Sequence, residues 1–383
     1  MSVYLDYNAS TPIDERVLEV MIDVYKNAIG NADSRTHNFG ENARKIVENA
    51  REQVASLLGV DKGEVFFTSG STESNNIAIQ GLKEYALQTG KNHIITTAIE
   101  HKSVLETAKY MQRNGFTVDF VSPEPRGRIN EQAILDKIGE NTLLVSVMHA
   151  NNETGIIQPV KEIGDFLTDK DILFHIDATQ TCGKLVPEIK GLKYNMLSLS
   201  AHKLSGPQGV GALILRKKKY KLPPVKQIIF GGQQERGIRP GTIPVALVAG
   251  LGKACQLAEN EYQENIQNCR EIKKDILGLL NKSKLKIEVN GEPNFCMPNT
   301  LNISIKGIES EALMLSTKDF CGISNGSACT SSDYKPSYVL SSMNLDNERI
   351  SQAVRLSWGG KSVKEEILTD LSLLIKRAEE LVF

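Results

Sequence analysis

Apolar residues between positions 64 and 216 fall in short runs that have the length of β-strands. The runs cover residues 64–70, 93–101, 142–149, 172–177, 196–200 and 211–216, and most of them are separated by segments compatible with helices. Strands of nearly continuous apolar character that alternate with helices indicate a parallel sheet that is buried on both faces. The pattern therefore predicts an α/β fold with a mostly parallel central sheet.

The chain ahead of the first run has the signature of a helix start. Thr11, Pro12 and Asp14 have the order of an N-cap, a proline at the first helical position and an acidic third residue. Apolar residues then recur at helical spacing as far as Ala28. We expect the first helix to begin directly after Thr11.

Two later stretches also have helical spacing. One runs from about residue 245 to residue 280, and the other keeps its apolar residues on one face over residues 367–381. The length of the chain, 383 residues, suits one large or two moderate domains. The long helix is expected to connect a large domain (15–255) with a smaller C-terminal α/β domain that also includes the N-terminus (1–14 with 256–383).

Polar strings follow the ends of most of the strand-like runs. They read GSTESNN, EHKS, HANNETG, DATQ and SAHK in chain order. In open α/β sheets, ligands bind at the carboxyl ends of the strands. Five strings that carry reactive groups at that edge therefore predict one shared site.

Composition and charge narrow the classes of function. Lys plus Arg (45) and Asp plus Glu (46) nearly cancel, so the balance indicates neither direct nucleic-acid binding nor binding to an acidic membrane. The six cysteines lack CxxC or Cys/His spacing, which argues against a metal site and a disulfide framework. No apolar run approaches the roughly 20 residues of a membrane span, and the first residues do not resemble a secretory signal. We expect reduced thiols and a cytoplasmic location.

Lys203 and Asp177 are the first candidates for chemistry. Lys203 follows a strand of the buried type and precedes glycines, where desolvation lowers the pKa of an amine and prepares it to form a Schiff base. Asp177 ends another apolar strand, and a carboxylate there suits the protonated nitrogen of a pyridine ring. Each residue also has an ordinary interpretation, as a solvated surface lysine and as a helix N-cap.

A third candidate is the string GSTESNN at residues 70–76, which leaves a strand and enters a helix. Backbone N–H groups at a helix N-terminus, together with the hydroxyls of Ser71 and Thr72, are suited to binding a phosphate group. The alternative is plain helix capping by Thr72 or Ser74.

The ordered set of motifs resembles the cysteine desulfurases, which are pyridoxal-phosphate enzymes of the class V aminotransferase group. The strings GSTESNN, IEHKS, HANNETG, HIDATQ, SAHK, GGQQERGIRPGT and NGSACTSS occur in the order of this family, and the resemblance extends from YLDYNASTP at residue 4 to RLSWGG at residue 360. It implies a fold-type I pyridoxal-phosphate-dependent transferase whose large domain binds the cofactor. The implied reaction converts L-cysteine to L-alanine.

The resemblance also implies a role for each matching residue. Lys203 would hold the cofactor and move the Cα proton of the substrate, while His101 would stack on the ring and take part in acid–base steps. Asp177 would pair with the pyridine nitrogen, and Gln180 would hydrogen-bond the phenolic oxygen. The implied phosphate ligands are Ser71, Thr72, Ser200, His202 and, from the neighbouring subunit of a homodimer, Thr242, and the implied holders of the substrate's carboxylate are Asn152 and Arg355.

Cys329 decides which reaction the sequence predicts. Residues 325–338 are rich in Gly, Ser, Asp and Pro and poor in periodic apolar residues, which predicts an exposed mobile loop. The resemblance implies that the thiolate of Cys329 attacks the sulfur of L-cysteine and carries it as a persulfide to an acceptor protein. Cys321 lies in the apolar string DFCGIS and is expected to be a buried strand residue, with thiol exchange as the alternative.

Other functions share parts of this pattern. An aminotransferase or a selenocysteine lyase would have a similar first half, and a catalytically silent cofactor-binding scaffold belongs to another class. A scaffold needs none of Lys203, His101 and Cys329, so their joint presence argues against it. His101 as a surface histidine and Arg355 as an ion-pair partner are the ordinary alternatives. Dehydrogenases and NTPases are excluded because neither GxGxxG after the first strand nor a Walker string is present.

Two departures from the family's pattern bear on the pathway. Pro240 stands in RPGT where many relatives have serine. The chain ends at residues 381–383, soon after the last helix, where housekeeping desulfurases often carry a longer docking tail. This difference puts a dedicated partner in iron–sulfur cluster assembly in doubt and makes a specialised pathway, such as tRNA thiolation or DNA phosphorothioation, a hypothesis, although the sequence alone does not name the acceptor.

Overall fold

The fold is described from a computed structural model that covers residues 2–326 and 336–382. Cys329 and most of the predicted loop lie outside the described residues. The strands are β1 (Val3–Tyr4), β2 (Val65–Thr68), β3 (His93–Thr97), β4 (Thr117–Val121), β5 (Thr142–Met148), β6 (Leu173–Asp177), β7 (Met196–Ser200), β8 (Gly211–Leu215), β9 (Ile287–Val289), β10 (Thr300–Ile305), β11 (Cys321–Gly322) and β12 (Ala353–Ser357). The helices are α1 (Glu15–Asn27), α2 (Asn38–Leu58), α3 (Ser71–Gln80), α4 (Lys83–Thr89), α5 (Lys102–Arg113), α6 (Glu131–Leu135), α7 (Val160–Leu167), α8 (Val186–Lys190), α9 (Val245–Lys282), α10 (Ser310–Thr317), α11 (Tyr338–Ser342), α12 (Asn347–Ser351) and α13 (Lys364–Leu381).

The central sheet confirms the predicted α/β architecture. Its strands have the order β2-β8-β7-β6-β5-β3-β4, and every neighbouring pair from β7 to β4 is parallel. Strand β8 alone runs against its neighbours β7 and β2 in this sheet. Each predicted run contains one strand, whereas β4 was not predicted. It lies at the edge of the sheet, where Thr117 is exposed, so its sequence lacks the continuous apolar character of the inner strands.

Adjacent residues of the inner strands pack on opposite faces of this sheet. Ile94 belongs to a hydrophobic cluster with Val104 and Ala108 of α5, whereas Ile95 belongs to the cluster on the other face that contains residues of α2, α7 and α9. Leu144 and Val145 of β5 divide between the two clusters in the same way. Helices therefore cover both faces, and ligands have access mainly at the ends of the strands.

The first helix begins later than the sequence predicts. Asp14, not Thr11, is the N-cap of α1, and its side chain accepts a hydrogen bond from the backbone N–H of Arg16. The Thr11 hydroxyl instead donates to the carbonyl of His202 (2.8 Å) and accepts from the backbone N–H of Ser205 (2.8 Å). Contacts between residues that are distant in sequence thus override the local capping pattern. The prediction that the helix begins directly after Thr11 is wrong.

A second, smaller layer of structure lies at the C-terminal end of α9. Strands β12, β10 and β9 form an antiparallel sheet, and β1 pairs in parallel with β11. Helix α9 buries Leu251 in the core of the central sheet and Ile276 in the core of the smaller sheet, which also holds Trp358. The predicted extent of the large domain, residues 15–255, stays a prediction. Val339, which belongs to the predicted C-terminal domain, packs into the core of the central sheet. No helix in the described part of the chain has the length and apolar character needed to span a membrane.

A buried ion pair anchors the segment that leads into α9. The guanidinium of Arg51 donates to both carboxylate oxygens of Glu235, at 2.7 and 2.8 Å, and the backbone N–H of Phe67 donates to the same carboxylate at 2.8 Å. Glu235 adopts a left-handed backbone conformation (φ 47°) that this contact holds in place. The pair therefore fixes residues 233–244 against the edge strand β2.

Replacing Glu235 by alanine is expected to destabilise the fold substantially. The change removes the buried partner of Arg51 and leaves the more exposed Glu48 as its remaining ion-pair partner, and breaking a buried pair costs about 3–5 kcal/mol in comparable cases. Urea denaturation measures the free energy of unfolding. Glu106→Ala, which removes an exposed partner of Lys109, is the matched control and should have little effect. Equal effects of the two substitutions would contradict this account.

Candidate active site

Four parallel strands deliver the predicted site residues to one edge of the central sheet. His101 follows β3 and Asn152 follows β5, whereas Asp177 is the last residue of β6. Ser200 ends β7, and Lys203 lies one short turn further along the chain. Because carboxyl ends of parallel strands share an edge, the topology alone brings these side chains together.

The carboxylate of Asp177 is buried and accepts three hydrogen bonds. Its Oδ1 accepts from the backbone N–H of Thr179 at 3.0 Å and from the Thr179 hydroxyl, and its Oδ2 accepts from Nδ2 of Asn75 at 2.8 Å. No helix follows Asp177 directly, so the alternative of a helix N-cap is wrong. The same Asn75 amide also donates to the hydroxyl of Ser103 at 2.9 Å. Asp177 is thereby connected to helix α5.

His101 completes this hydrogen-bond network. Its Nδ1 accepts from the backbone N–H of Ser103 at 3.1 Å and lies 2.8 Å from the Ser103 hydroxyl. A ring nitrogen that accepts a backbone N–H carries no proton, so the neutral ring holds its proton on Nε2. The ring is open to solvent on one side, but the surrounding protein lowers its pKa through desolvation, against the opposing charge of Asp177. His101 is therefore a neutral imidazole with a defined tautomer.

Lys203 has the properties of a reactive amine. Its Nζ donates to the backbone carbonyls of Asn8 (2.5 Å) and Ala9 (2.6 Å). Desolvation, followed by the nearby charges of Lys184 and Arg355, lowers the pKa of Lys203 to about 7. Lys203 is thus not the solvated surface lysine of the ordinary interpretation, and much of it is neutral near pH 7.

Asn8 gathers a second group of predicted residues around Lys203. Its backbone carbonyl also accepts from Nε2 of Gln180 at 3.0 Å, and its side-chain amide donates to the carbonyl of Asn152 at 3.2 Å. Arg355 donates from Nη1 to that same carbonyl at 2.8 Å. The N-terminal segment therefore joins the central sheet to β12 at the site.

Several buried polar atoms in this group have no hydrogen-bond partner among the described residues. They are Oε1 of Gln180, Oδ1 of Asn152 and Nε of Arg355. Arg355 is nearly inaccessible and pairs through Nη2 with the carboxylate of Asp6 at 2.5 Å. Buried polar groups are usually satisfied, and unsatisfied ones gathered in one place indicate a binding site.

The start of α3 has the geometry of a phosphate cradle. Gly70 is the N-cap residue, and no side chain caps the helix, so capping by Thr72 or Ser74 is wrong. Ser71 and Thr72 form the first turn. The hydroxyl of Ser200 would lie 3.5 Å from a Cβ added to Gly70, which places it beside this helix end. Unpaired N–H groups and a hydroxyl at a helix N-terminus suit an anion.

His202 and Thr242, the other two predicted phosphate ligands, have surroundings that differ from those of Ser71, Thr72 and Ser200. The ring of His202 is half-buried, with Nδ1 3.3 Å from the hydroxyl of Ser10, and desolvation lowers its pKa to about 4. Thr242 is exposed, and no hydrogen bond in the described part of the chain joins it to the residues above. The predicted contribution of Thr242 across a subunit interface stays a prediction, as does the role of Cys329.

Two buried glutamates were not predicted as site residues. Glu100 precedes His101, accepts from the Thr97 hydroxyl at 2.7 Å and has a pKa raised to about 8 by desolvation. Glu153 follows Asn152, and desolvation raises its pKa to about 7. Glu100 lies in the string EHKS and Glu153 lies in the string HANNETG. A carboxyl group next to the end of a strand is the feature of the sequence that could have identified each of them as a site residue.

The arrangement fits pyridoxal phosphate. The helix start with Ser71 and Thr72 suits a phosphate, and the buried Asp177 suits a protonated ring nitrogen. Lys203 could supply an amine for covalent attachment, and Arg355 could supply a guanidinium for a carboxylate. Among the described residues, no group of three His, Cys, Asp or Glu side chains could hold a metal ion.

Comparison with known proteins places this arrangement in context. The model of the family described as aminotransferase class-V matches residues 3–369. Cysteine desulfurase IscS of Rickettsia africae (strain ESF-5) is 39% identical over 382 residues, which cover 100% of this chain and 92% of that protein. A solved NifS-like protein has a TM-score of 0.90 at 36% identity and covers 100% of this chain and 99% of its own. DndA from Streptomyces lividans has a TM-score of 0.81 at 40% identity and covers 93% and 99%.

The lowered pKa of Lys203 predicts how the cofactor-free chain takes up pyridoxal phosphate. Only the neutral amine attacks an aldehyde, so attachment should be about tenfold faster at pH 8 than at pH 6 if the pKa is about 7. The absorbance of the attached cofactor gives the rate. In Lys184→Met the midpoint should move to higher pH, because a positive charge that lowers the Lys203 pKa is gone.

Lys109→Met, which removes an exposed lysine, serves as the control and should leave this pH dependence unchanged. A midpoint near pH 10 in the unaltered chain would show that Lys203 is an ordinary solvated amine.

Proposed function

The chain belongs to the class-V aminotransferase family and is a pyridoxal-phosphate-dependent cysteine desulfurase, and we propose that it takes the sulfur of L-cysteine onto Cys329 and releases L-alanine. The observation that carries this proposal is the meeting of Lys203 with Asn152 and Arg355 around Asn8. An amine with a pKa of about 7 beside a guanidinium is what an α-amino acid substrate requires.

Residues at the edge of the central sheet and at the start of α3 would hold the cofactor. Asp177 would keep the ring nitrogen protonated, and the hydroxyls of Ser71, Thr72 and Ser200 would bind the phosphate with the help of the α3 N-terminus. Bound pyridoxal phosphate supplies an electron-withdrawing ring that stabilises negative charge at the substrate's Cα. Asn75 and Ser103 hold Asp177 and His101 in fixed positions relative to each other.

Lys203 and Arg355 act on the substrate. Arg355 binds the substrate's carboxylate with Asn152, which orients the Cα–H bond towards the amine of Lys203. The neutral amine accepts the Cα proton, and its pKa of about 7 suits this exchange near neutral pH. His101, neutral and protonated on Nε2, would serve as a further acid–base group of the site.

Cys329 performs the sulfur transfer. Its thiolate attacks the sulfur atom of L-cysteine, the Cβ–S bond breaks, and the electron pair of that bond stays on the carbon skeleton. Protonation of that skeleton yields L-alanine, and Cys329 keeps the sulfur as a persulfide. L-cysteine and the enzyme thiol thus become L-alanine and the enzyme persulfide, with no external oxidant or reductant.

The reaction predicts a mass change on one peptide. Incubation with L-cysteine should yield alanine and a gain of one sulfur on the Cys329 peptide, measured by mass spectrometry. Cys329→Ala should abolish both, whereas Cys321→Ala should retain both, because Cys321 is buried and its pKa is raised to about 12. A keto acid as product, or alanine formation that survives Cys329→Ala, would contradict the proposal.

We also propose that the enzyme is a homodimer. Helix α1 buries Val24 against the start of α9, whereas Ile22 and Tyr25 of α1 and Ile29 just after it form an exposed apolar stripe, between 42% and 68% accessible. The start of α9 follows Thr242 by a few residues, so the stripe and Thr242 lie in one region of the surface. A second copy that covers the stripe would bring its own Thr242 near this region.

Charged residues in the stripe should separate the subunits. The double substitution Ile22→Lys with Ile29→Lys is expected to give a monomer in light-scattering chromatography and to weaken pyridoxal-phosphate binding at least several-fold. Leu87→Lys, on the exposed side of α4, is the control and should remain dimeric. A monomeric unaltered enzyme, or a dimeric double variant, would overturn the dimer proposal.

The location and the destination of the sulfur complete the proposal. We propose a cytoplasmic enzyme, which is supported by the free thiols of the described cysteines at positions 182, 255, 269, 296 and 321. An acceptor protein removes the sulfur from Cys329. Iron–sulfur cluster assembly, tRNA thiolation and DNA phosphorothioation are the pathways proposed for it.

A further inference from the structure

The chain on both sides of the segment that contains Cys329 is attached to the substrate-carboxylate site. On the N-terminal side, Ser324 pairs with Arg355 of β12, and the backbone N–H of Arg355 donates to the Ser324 carbonyl at 2.5 Å. On the C-terminal side, the hydroxyl of Ser337 donates to Oε2 of Glu153 at 2.5 Å. Glu153 directly follows Asn152. Both attachments therefore end at or next to the proposed carboxylate holders.

Glu153 contacts both sides at once. A Cβ added to Gly326 would lie 2.8 Å from Oε2 of Glu153, the same oxygen that accepts from Ser337. Gly326 also has a φ of +82°, a conformation that favours glycine. The Glu153 carboxyl group is thus packed between residue 326 and residue 337.

The backbone of Glu153 is rigidly mounted. Its N–H donates to Oδ1 of Asn151 at 2.9 Å, and its carbonyl accepts from Nδ2 of Asn302 at 3.1 Å. Glu153 is only 2% exposed, so water has little access to the atoms that make these contacts. Because Glu153 is fixed in this way, the residues that its side chain contacts are held in place relative to the central sheet.

Ser337 and its neighbour extend the same connection to His101. The Ser337 hydroxyl accepts from the backbone N–H of Leu340 and so caps α11. The hydroxyl of Tyr338 donates to the carbonyl of Glu100 at 2.7 Å, and Glu100 precedes His101. The C-terminal side is therefore fixed to two parts of the site.

We propose that Glu153 is a positioning residue for sulfur transfer, which fixes residues 326 and 337 and so anchors the chain on both sides of the segment that contains Cys329. Glu153 itself contacts neither substrate nor cofactor in this assignment. The inference rests on the proposed role of Cys329. It predicts that loss of Glu153 impairs sulfur transfer while the earlier binding of L-cysteine remains intact.

The test separates these two steps in the cofactor-loaded dimer. Rapid mixing with L-cysteine gives the rate of the first absorbance change, and quenched samples give the rate at which persulfide forms on Cys329. Glu153→Ala should slow persulfide formation about 10- to 100-fold, as expected when a reacting group is misplaced by about 1 Å, and change the first rate by less than about twofold. Ser337→Ala should act in the same direction.

Three comparisons strengthen the test. Glu153→Gln keeps an oxygen that accepts from Ser337 and should restore much of the rate. Glu153→Ala combined with Ser337→Ala should slow persulfide formation by less than the product of the two single effects, because both substitutions remove the Glu153–Ser337 contact. Glu140→Ala, at an exposed position, is the control and should match the unaltered enzyme.

A further readout does not depend on turnover. In the cofactor-free Glu153→Ala variant, the amides of Leu340 and Ser341 should exchange hydrogen faster than in the unaltered chain. The acceptors of these two amides are the hydroxyl and the carbonyl of Ser337. Unchanged persulfide formation in Glu153→Ala, or an equal fall in both kinetic steps, would overturn the inference. Persulfide that forms elsewhere than Cys329 in the unaltered enzyme would instead overturn the proposed function.

Discussion

The buried carboxylate of Asp177 is the constraint on which the site depends. A carboxylate removed from water is costly unless hydrogen bonds compensate it, and Asp177 obtains them from Thr179 and from Asn75 of α3. Because Asn75 also donates to Ser103, the same charge fixes α5 and the ring of His101. One buried carboxylate is therefore connected through Asn75 and Ser103 to α3, to α5 and to His101, whose tautomer is fixed by the backbone N–H of Ser103.

The N-terminal segment supplies the other half of the site. Asn8 provides the carbonyl to which Lys203 and Gln180 donate, and its side chain meets the Asn152 carbonyl that also binds Arg355. Desolvation, together with the nearby positive charges of Lys184 and Arg355, lowers the pKa of Lys203, which suits it to proton transfer. Residues far apart in the chain thus become one reaction centre because a short N-terminal stretch lies between them.

Local patterns predicted the inner strands of the central sheet and the edge at which Lys203 and Asp177 lie, whereas the roles of most site residues came from the resemblance and stay predictions. Continuous apolar runs identify inner strands, and reactive residues at their ends identify one edge, but the edge strand β4 escapes this reasoning. Asn8, Asn75 and Glu153 were missed as partners, since their contacts join residues 102 to 195 positions apart. The predicted start of α1 was wrong for the same reason, because the hydroxyl of Thr11 donates a hydrogen bond to the carbonyl of His202.

Exchange of the Cα hydrogen tests the central claim most directly, namely that the sheet edge forms a proton-transfer centre that is complete without Cys329. The measurement follows loss of deuterium from L-cysteine labelled at Cα, by mass spectrometry, in the Cys329→Ala and Lys203→Ala variants. The account predicts that Cys329→Ala exchanges the label without forming alanine and that Lys203→Ala does not exchange it. Exchange that requires Cys329, or that persists without Lys203, would contradict it.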